Sequence, residues 1–287
     1  MKAFHGTGVA LVTPFKKDLS IDFDGLLRLL AHTAKGVDYY VVQGTTGESA
    51  TTSASEKEEI LTFVKNNNPK QLPIVYGVGG NNTMAVVEQL KSIDLSGVAA
   101  ILSVSPYYNK PSQEGIYQHF MAVAEASPLP IILYNVPGRT MSNISADTTI
   151  RLSKHKNIIG IKEASGDLTQ CMVIAKGTDS DFLLISGDDL LTTPMMSTGA
   201  VGVISVLANA FPETFKRITH SALAADFVAS TTATMELLEI NPLMYVESNP
   251  VGIKQVLEEM QVCDNYVRMP LLPASDGLKE KIKALIR

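Results

Sequence analysis

The sequence predicts an α/β fold in which eight parallel β-strands, each followed by a helix, close into a barrel. Short apolar runs alternate with helical patterns eight times within about 220 residues. The runs are continuously apolar, which is typical of strands buried on both faces. Neither the GxGxxG pattern nor a P-loop pattern occurs, which disfavours the competing doubly wound sheet. The predicted architecture is therefore a (β/α)8, or TIM, barrel.

The predicted elements follow one another in order along the chain. Each strand is a run of Val, Ile, Leu, Ala or Tyr, and the helices carry apolar residues at helical spacing. Ser55 is predicted to cap the second helix, with Glu58 completing a capping box. The strands are predicted at residues 8–11, 39–42, 74–77, 99–102, 131–134, 158–162, 182–185 and 201–204. The helices are predicted at residues 22–35, 55–64, 83–92, 112–125, 145–153, 167–175, 189–196 and from 212 onward.

The strand pattern stops near residue 222. Residues 222–240, 250–261 and 276–286 read as helices appended to the barrel. The predicted division is a barrel over residues 1–221 and a C-terminal helical extension over residues 222–287.

Composition and charge exclude several classes of function. The chain carries 24 basic and 29 acidic residues, and no run of Lys or Arg indicates nucleic-acid binding. No apolar stretch is long enough to span a bilayer, so no membrane partner is expected. Cys171 and Cys263 lie far apart and form neither a disulfide framework nor a metal spacing. We therefore expect a cytoplasmic protein.

No metal or cofactor is expected. The five histidines are scattered and form no HxxxH or HExxH pair. Pyridoxal phosphate would need a phosphate cradle beside its lysine. The one candidate cradle, residues 79–82, fits an ordinary strand-to-helix loop better.

Lys162 ends the sixth predicted strand, directly before the turn that starts the next helix. A lysine at such a position is often merely solvated at its tip. Alternatively, partial burial disfavours its ammonium, which suits a lysine that forms a Schiff base. The sequence around Lys162 does not distinguish a solvated lysine from one that forms a Schiff base.

Other polar residues stand at the C-terminal ends of strands, where the active sites of parallel barrels lie. Residues 44–47 form a turn that could also bind an anion through its backbone N–H groups. Tyr107 and Tyr108 could cover apolar surface, whereas Tyr134 could pass protons between substrate and water. Arg139 could bind a carboxylate with its two-pronged guanidinium. Together with Lys162 these groups favour imine chemistry.

Three segments, residues 44–49, 134–140 and 160–167, resemble the signatures of the dihydrodipicolinate synthase / N-acetylneuraminate lyase family. Residues 247–250 and 268–273 resemble further motifs of that family, so the resemblance runs nearly end to end. Members are class I aldolases on a (β/α)8 barrel. Arg139 matches the synthase branch, since the sialic-acid lyases lack that Arg.

The resemblance implies condensation of pyruvate with L-aspartate 4-semialdehyde in lysine and diaminopimelate biosynthesis. Lys162 would form the imine with pyruvate, and Arg139 would bind the carboxylate of the semialdehyde. It further implies a homodimer at least, with a homotetramer expected. The resemblance also implies a proton relay of Thr45, Tyr134 and Tyr108, in which a neighbouring subunit supplies Tyr108. Thr46 would bind the carboxylate of pyruvate, and Gly187 and Ile204 would line the pyruvate pocket.

Two alternatives stay open. One is a related pyruvate-dependent lyase acting on a sugar acid such as N-acetylneuraminate, and the other is a non-catalytic barrel that binds an effector. The resemblance also bears on regulation, since the positions matching the family's lysine site carry Ala54, Lys57 and Ala85 beside Asn81 and Tyr107. A positive Lys57 and the lack of a carboxylate at Ala85 predict weak or absent inhibition by lysine.

Overall fold

The computed structural model describes residues 2–286 and forms a closed barrel of eight parallel strands in chain order. The first strand pairs with the last in parallel, which closes the barrel. The predicted fold class is therefore confirmed. The strands are β1 Gly6–Ala10, β2 Tyr39–Val42, β3 Ile74–Gly77, β4 Ala100–Val104, β5 Ile131–Asn135, β6 Ile158–Glu163, β7 Leu183–Ser186 and β8 Gly202–Ser205.

Apolar side chains on both faces of the strands build two cores. Because neighbouring side chains of a strand point to opposite faces, one set fills the barrel interior and the other packs under the helices. The interior set includes Tyr39, Val41, Ile132, Ile185 and Ile204, all of which are buried. The continuously apolar strand sequences thus serve two cores at once.

Helices surround the barrel and extend it at the C-terminus. They are α1 Phe23–Thr33, α2 Ala54–Asn66, α3 Thr83–Ser92, α4 Gln113–Ala126, α5 Pro137–Thr140, α6 Ala146–Leu152, α7 Leu168–Gly177, α8 Thr192–Ser197, α9 Pro212–Leu223, α10 Phe227–Met235, α11 Val251–Glu259 and α12 Asp276–Leu285. Short 3-10 helices lie at Lys2–Phe4, Thr45–Gly47, Leu207–Asn209 and Asn241–Met244. Among the described helices, none is both long and apolar enough to cross a membrane.

The predicted cap of α2 is wrong by two residues. Ser53, rather than Ser55, is the N-cap, and its hydroxyl accepts a hydrogen bond from the backbone N–H of Glu56 at 3.3 Å. The Glu56 carboxylate in turn accepts from the Ser53 N–H at 2.8 Å, which completes the capping box. Glu56 also pairs with Arg268. The contact with Arg268 favours a capping box formed by Ser53 and Glu56 over one formed by Ser55 and Glu58.

The helix predicted over residues 222–240 is also interrupted. Helix α9 ends at Leu223, and Ala225 adopts a left-handed conformation with φ of 62°. Asp226 then caps α10 by accepting from the N–H of Ala229. Helix α9 crosses the predicted limit between residues 221 and 222, and the division into a barrel and an extension stays a prediction.

Candidate active site

Lys162 and Tyr134 face each other at the C-terminal ends of two paired strands. They are register partners of β6 and β5, so both side chains point to the same side of the sheet. The Lys162 ammonium lies 4.3 Å from the centre of the Tyr134 ring. Lys162 is 5% exposed and Tyr134 is 7% exposed. Within residues 2–286, the ammonium has neither a hydrogen bond nor an ion pair. The structure thus places an unpaired lysine beside a phenol.

Of two other predicted residues, Gly187 lies against this lysine and Ile204 lies in the interior cluster of Tyr134. Gly187 follows β7, and a Cβ built on it would lie 3.1 Å from Cε of Lys162 and 2.6 Å from Cβ of Ala164. A larger residue there would push the lysine aside. Ile204 of β8 is buried in the same interior cluster as Tyr134. The Gly187 position therefore restricts the space in which the lysine stem can move.

The loop after β2 contains the turn that the sequence predicts to bind an anion. Thr45–Gly47 forms one turn of 3-10 helix, and Glu48 closes it in a left-handed conformation with φ of 55°. The hydroxyl of Thr46 accepts a hydrogen bond from Nδ2 of Asn249 at 3.0 Å. Since Asn249 supplies the donor in this contact, the Thr46 hydroxyl keeps its own proton for another acceptor.

A buried ion pair between Lys254 and Glu48 holds this loop against the C-terminal segment. Nζ of Lys254 donates to Oε1 of Glu48 at 2.6 Å and to the carbonyl of Tyr266 at 2.7 Å. The other oxygen of Glu48 accepts from the backbone N–H of Arg268 at 3.0 Å. Side-chain exposure is 0% for Lys254 and 3% for Glu48. The C-terminal segment therefore fixes the loop through charges removed from water.

Arg139 lies on the short helix α5, two residues after its N-terminal proline. Its side chain is exposed and lines the same cavity as Tyr134 and Thr45. Among the described residues no carboxylate pairs with it. An unpaired guanidinium at the mouth of a cavity is suited to bind a carboxylate ligand.

The two neighbouring tyrosines have different surroundings. Tyr107 lines the cavity, and its carbonyl accepts from Nδ2 of Asn81 at 3.2 Å. Tyr108 is 87% exposed, adopts a left-handed backbone with φ of 74°, and does not line the cavity. Within a single chain, therefore, Tyr108 is not brought to Lys162.

The cavity lined by Thr45, Tyr134 and Arg139 has a volume of about 580 Å³. It extends from Tyr134 and Arg139 to Lys57, whose partial burial lowers its pKa. Ala54 begins α2 and Ala85 lies in the first turn of α3, and neither supplies a charge. Besides Lys57, Tyr134 and Arg139, the cavity is lined by Gln43, Gly44, Thr45, Glu48, Ser49, Ala50, Thr51, Gly77, Val78, Gly79, Gln89, Leu102, Val104, Tyr107, Val136, Thr140, Ser248, Asn249, Pro250, Pro270 and Leu271, and neither Ala54 nor Ala85 is among these lining residues.

Two residues that support this region were not predicted from the sequence. Asn249 and Lys254 hold the loop after β2 from more than 200 positions away along the chain. The only available signal was that Asn249 lies in a segment already noted as a motif. Asp189, which follows β7, is buried; this burial raises its pKa to about 6, while N–H groups of Val206 and Leu207 donate to its Oδ2.

Within residues 2–286, no group of three or more His, Cys, Asp or Glu side chains could hold a metal ion. The polar groups of the site are instead a lysine, phenols, hydroxyls, backbone amides and a guanidinium. Such groups can form an imine, pass protons and bind carboxylates.

Comparison with known proteins agrees with this chemistry. The profile of the dihydrodipicolinate synthetase family matches residues 3–287. The chain belongs to the dihydrodipicolinate synthetase family. The 4-hydroxy-tetrahydrodipicolinate synthase of Cytophaga hutchinsonii is 53% identical over 99% of this chain and 96% of its own length. The enzyme of the same name from Flavobacterium psychrophilum is 49% identical over 98% of this chain and 97% of its own.

Solved structures of the dihydrodipicolinate synthetase family share the whole fold. The crystal structure of dihydrodipicolinate synthase from Thermotoga maritima superposes with a TM-score of 0.96 at 35% identity. The match covers 99% of this chain and 98% of that one. Family membership thus extends over the barrel and the C-terminal helices together.

Proposed function

We propose that the protein condenses pyruvate with L-aspartate 4-semialdehyde to give 4-hydroxy-tetrahydrodipicolinate, on the route to diaminopimelate and lysine. The observation that carries this proposal is the buried, unpaired ammonium of Lys162 beside Tyr134. An unpaired guanidinium, that of Arg139, shares the cavity with Tyr134. The names of the relatives support the same reaction.

Lys162 is proposed to attack the ketone of pyruvate as a neutral amine. The resulting carbinolamine loses water and forms an imine, whose positive nitrogen then accepts electrons as the methyl group loses a proton. The product of that step is an enamine, the carbon nucleophile of the reaction. Tyr134 and Thr45, with Tyr108 of a neighbouring subunit, are proposed to move the protons.

Two anion sites are proposed to orient the substrates. The turn around Thr45 and Thr46 binds the carboxylate of pyruvate through backbone N–H groups and the Thr46 hydroxyl. Arg139 binds the carboxylate of the semialdehyde and directs its aldehyde toward the enamine. After carbon–carbon bond formation, the amino group of the second substrate displaces Lys162 and closes the ring. Gly187 and Ile204 shape the pyruvate pocket.

Product assays with the purified protein test this proposal. Pyruvate together with aspartate semialdehyde should be consumed with formation of the cyclic product. N-acetylneuraminate and 2-keto-3-deoxy sugar acids should not be cleaved at a comparable rate. Preferential cleavage of a sugar acid would contradict the proposal, and binding of pyruvate without any turnover would indicate an effector-binding barrel.

The active assembly is proposed to be at least a homodimer, with a homotetramer expected, in the cytoplasm. The exposed Tyr108 supports shared sites, because its side chain lies outside the cavity of its own chain. The proposed chemistry needs no metal or organic cofactor, since the Lys162 imine itself accepts the electrons. Weak or absent inhibition by lysine stays a prediction.

A further inference from the structure

The carboxylate of Glu163 lies in the chain directly after Lys162 and on the opposite face of β6. It is 1% exposed and accepts four hydrogen bonds from three groups. Nδ2 of Asn135 donates to its two oxygens at 3.1 and 2.9 Å. The N–H of Ser165 donates at 2.7 Å and Nε2 of Gln170 at 2.9 Å. Within the described residues, no cation pairs with this carboxylate.

This hydrogen-bond network joins the strands of the two central site residues. Asn135 is the register partner of Glu163, just as Tyr134 is the partner of Lys162 one position earlier. The contact between Asn135 and Glu163 therefore fixes the end of β5 against the end of β6 on the outer face. On the inner face, the same strand ends present Tyr134 and Lys162.

The network also reaches the segment that follows Arg139. Oδ1 of Asn135 accepts from the N–H of Ile144 at 2.9 Å, and its Nδ2 donates to Oδ1 of Asn143 at 2.7 Å. Nε2 of Gln170 donates to the carbonyl of Ile144 at 3.3 Å. One buried carboxylate thus lies at the centre of contacts that link the strand ends to the loop beyond α5.

We propose that Glu163 is a positioning residue that sets the separation of Lys162 and Tyr134 through its contacts with Asn135, Ser165 and Gln170. The inference rests on the proposed imine chemistry. A carboxylate only accepts hydrogen bonds, and every group around it donates. An amide at this position would direct two N–H groups at donors, so the strand ends would separate. Misplacement of a reacting group by about 1 Å can slow a reaction about a hundredfold.

The test is the rate of imine formation with pyruvate, followed by borohydride trapping and mass spectrometry across about pH 6 to pH 9. The Glu163→Gln variant should form the imine at least about tenfold more slowly at temperatures where circular dichroism shows it folded. The shape of its pH profile should change as well, because a displaced ammonium meets different surroundings. The paired variant with Asn135→Asp restores an acceptor opposite the new amide, and it should recover most of the rate.

Gln113→Met serves as the control. Its amide contacts the same loop, donating to the carbonyl of Asn143 at 2.7 Å, and within residues 2–286 its other hydrogen bonds go to Ser145 and Thr148 rather than to β5 or β6. Imine formation should stay within about twofold of the unmodified rate. An unchanged rate and pH profile in folded Glu163→Gln would overturn the positioning role. If that variant does not fold, Asn135→Ala provides the same comparison, and an unchanged rate there would equally overturn it. Failure of the unmodified enzyme to form any adduct would instead contradict the proposed function.

Discussion

The ammonium of Lys162 lies 4.3 Å from the centre of the Tyr134 ring, on strands that are paired in register at these two residues. The face of an aromatic ring is electron-rich and can stabilise a positively charged intermediate at such a distance. An imine formed on Lys162 also carries a positive charge once it is protonated, so the same contact suits the intermediate. The pairing of β5 with β6 makes this geometry a property of the barrel rather than of a flexible loop.

Replacing Arg139 should separate the two half-reactions. In Arg139→Ala the carboxylate of the semialdehyde loses its charged partner, and kcat/KM for that substrate should fall about a hundredfold or more. Imine formation with pyruvate should remain, because Lys162 and the Thr46 loop are intact. Steady-state kinetics and borohydride trapping measure the two effects.

The control for Arg139 is Arg151→Ala. Arg151 is an exposed arginine that pairs with Glu114 at 3.0 Å, outside the cavity. Its loss should leave both half-reactions unchanged, since exposed ion pairs contribute little. Normal condensation by Arg139→Ala would show that the semialdehyde carboxylate is bound elsewhere.

Subunit complementation tests whether Tyr108 serves a neighbouring site. Lys162→Ala and Tyr108→Phe should each be nearly inactive alone. In a hybrid dimer, the site with an intact Lys162 receives an intact Tyr108 from the other subunit. Random re-association of equal amounts makes about half the dimers hybrids with one working site in two, so about a quarter of the activity should return. No recovery in verified hybrids would mean that each chain uses its own Tyr108.

The buried pair of Lys254 and Glu48 should dominate the stability of the C-terminal attachment. Lys254→Met leaves the Glu48 carboxylate buried without a cation and should lower the free energy of unfolding by about 3–5 kcal/mol. The double variant with Glu48→Gln removes both charges and should recover much of that loss. Urea unfolding measures all three proteins. A loss below about 1 kcal/mol in Lys254→Met would contradict the assigned burial of the pair.

His119 should make stability depend on pH. Burial lowers its pKa from the ordinary 6.5 to about 4, and its side chain is 4% exposed. Between these two pH values the unfolded chain binds more protons at this position than the folded chain. Stability should therefore fall as the pH drops from about 6.5 to about 4, by up to about 3 kcal/mol from this residue.

Urea unfolding at several pH values checks this dependence. His119→Gln should flatten the profile in that range. Thr83→Val removes the hydroxyl that lies 2.9 Å from Nδ1 but keeps the imidazole, so it should keep the slope. A profile for His119→Gln as steep as that of the unmodified protein would assign the titration to other groups.

Local pattern was sufficient for much of the barrel. The limits of β3 and α3 match their predicted limits, because both are bounded by clear turn residues. The cap of α2 could not be decided locally, since Ser53 and Ser55 each precede a glutamate by three positions. In the structure Ser53 is the N-cap, and the Glu56 of its capping box pairs with the distant Arg268.

In the candidate site, too, local sequence predicted some residues and not others. Lys162, Tyr134 and Arg139 were predicted because strand ends and turn motifs mark them in the sequence. The partners of Glu48 and Thr46 could not be predicted, because Lys254 and Asn249 lie more than 200 residues away. Such pairs depend on how the C-terminal helices pack, which no local periodicity contains.

The most direct test of the account is to locate the borohydride-trapped pyruvate adduct in the intact protein by peptide mass spectrometry. We expect a single reduced adduct on the peptide that contains Lys162, and none in Lys162→Ala. Reduction that leaves Lys162 unmodified, or an adduct on another lysine such as Lys57 that persists in Lys162→Ala, would contradict it.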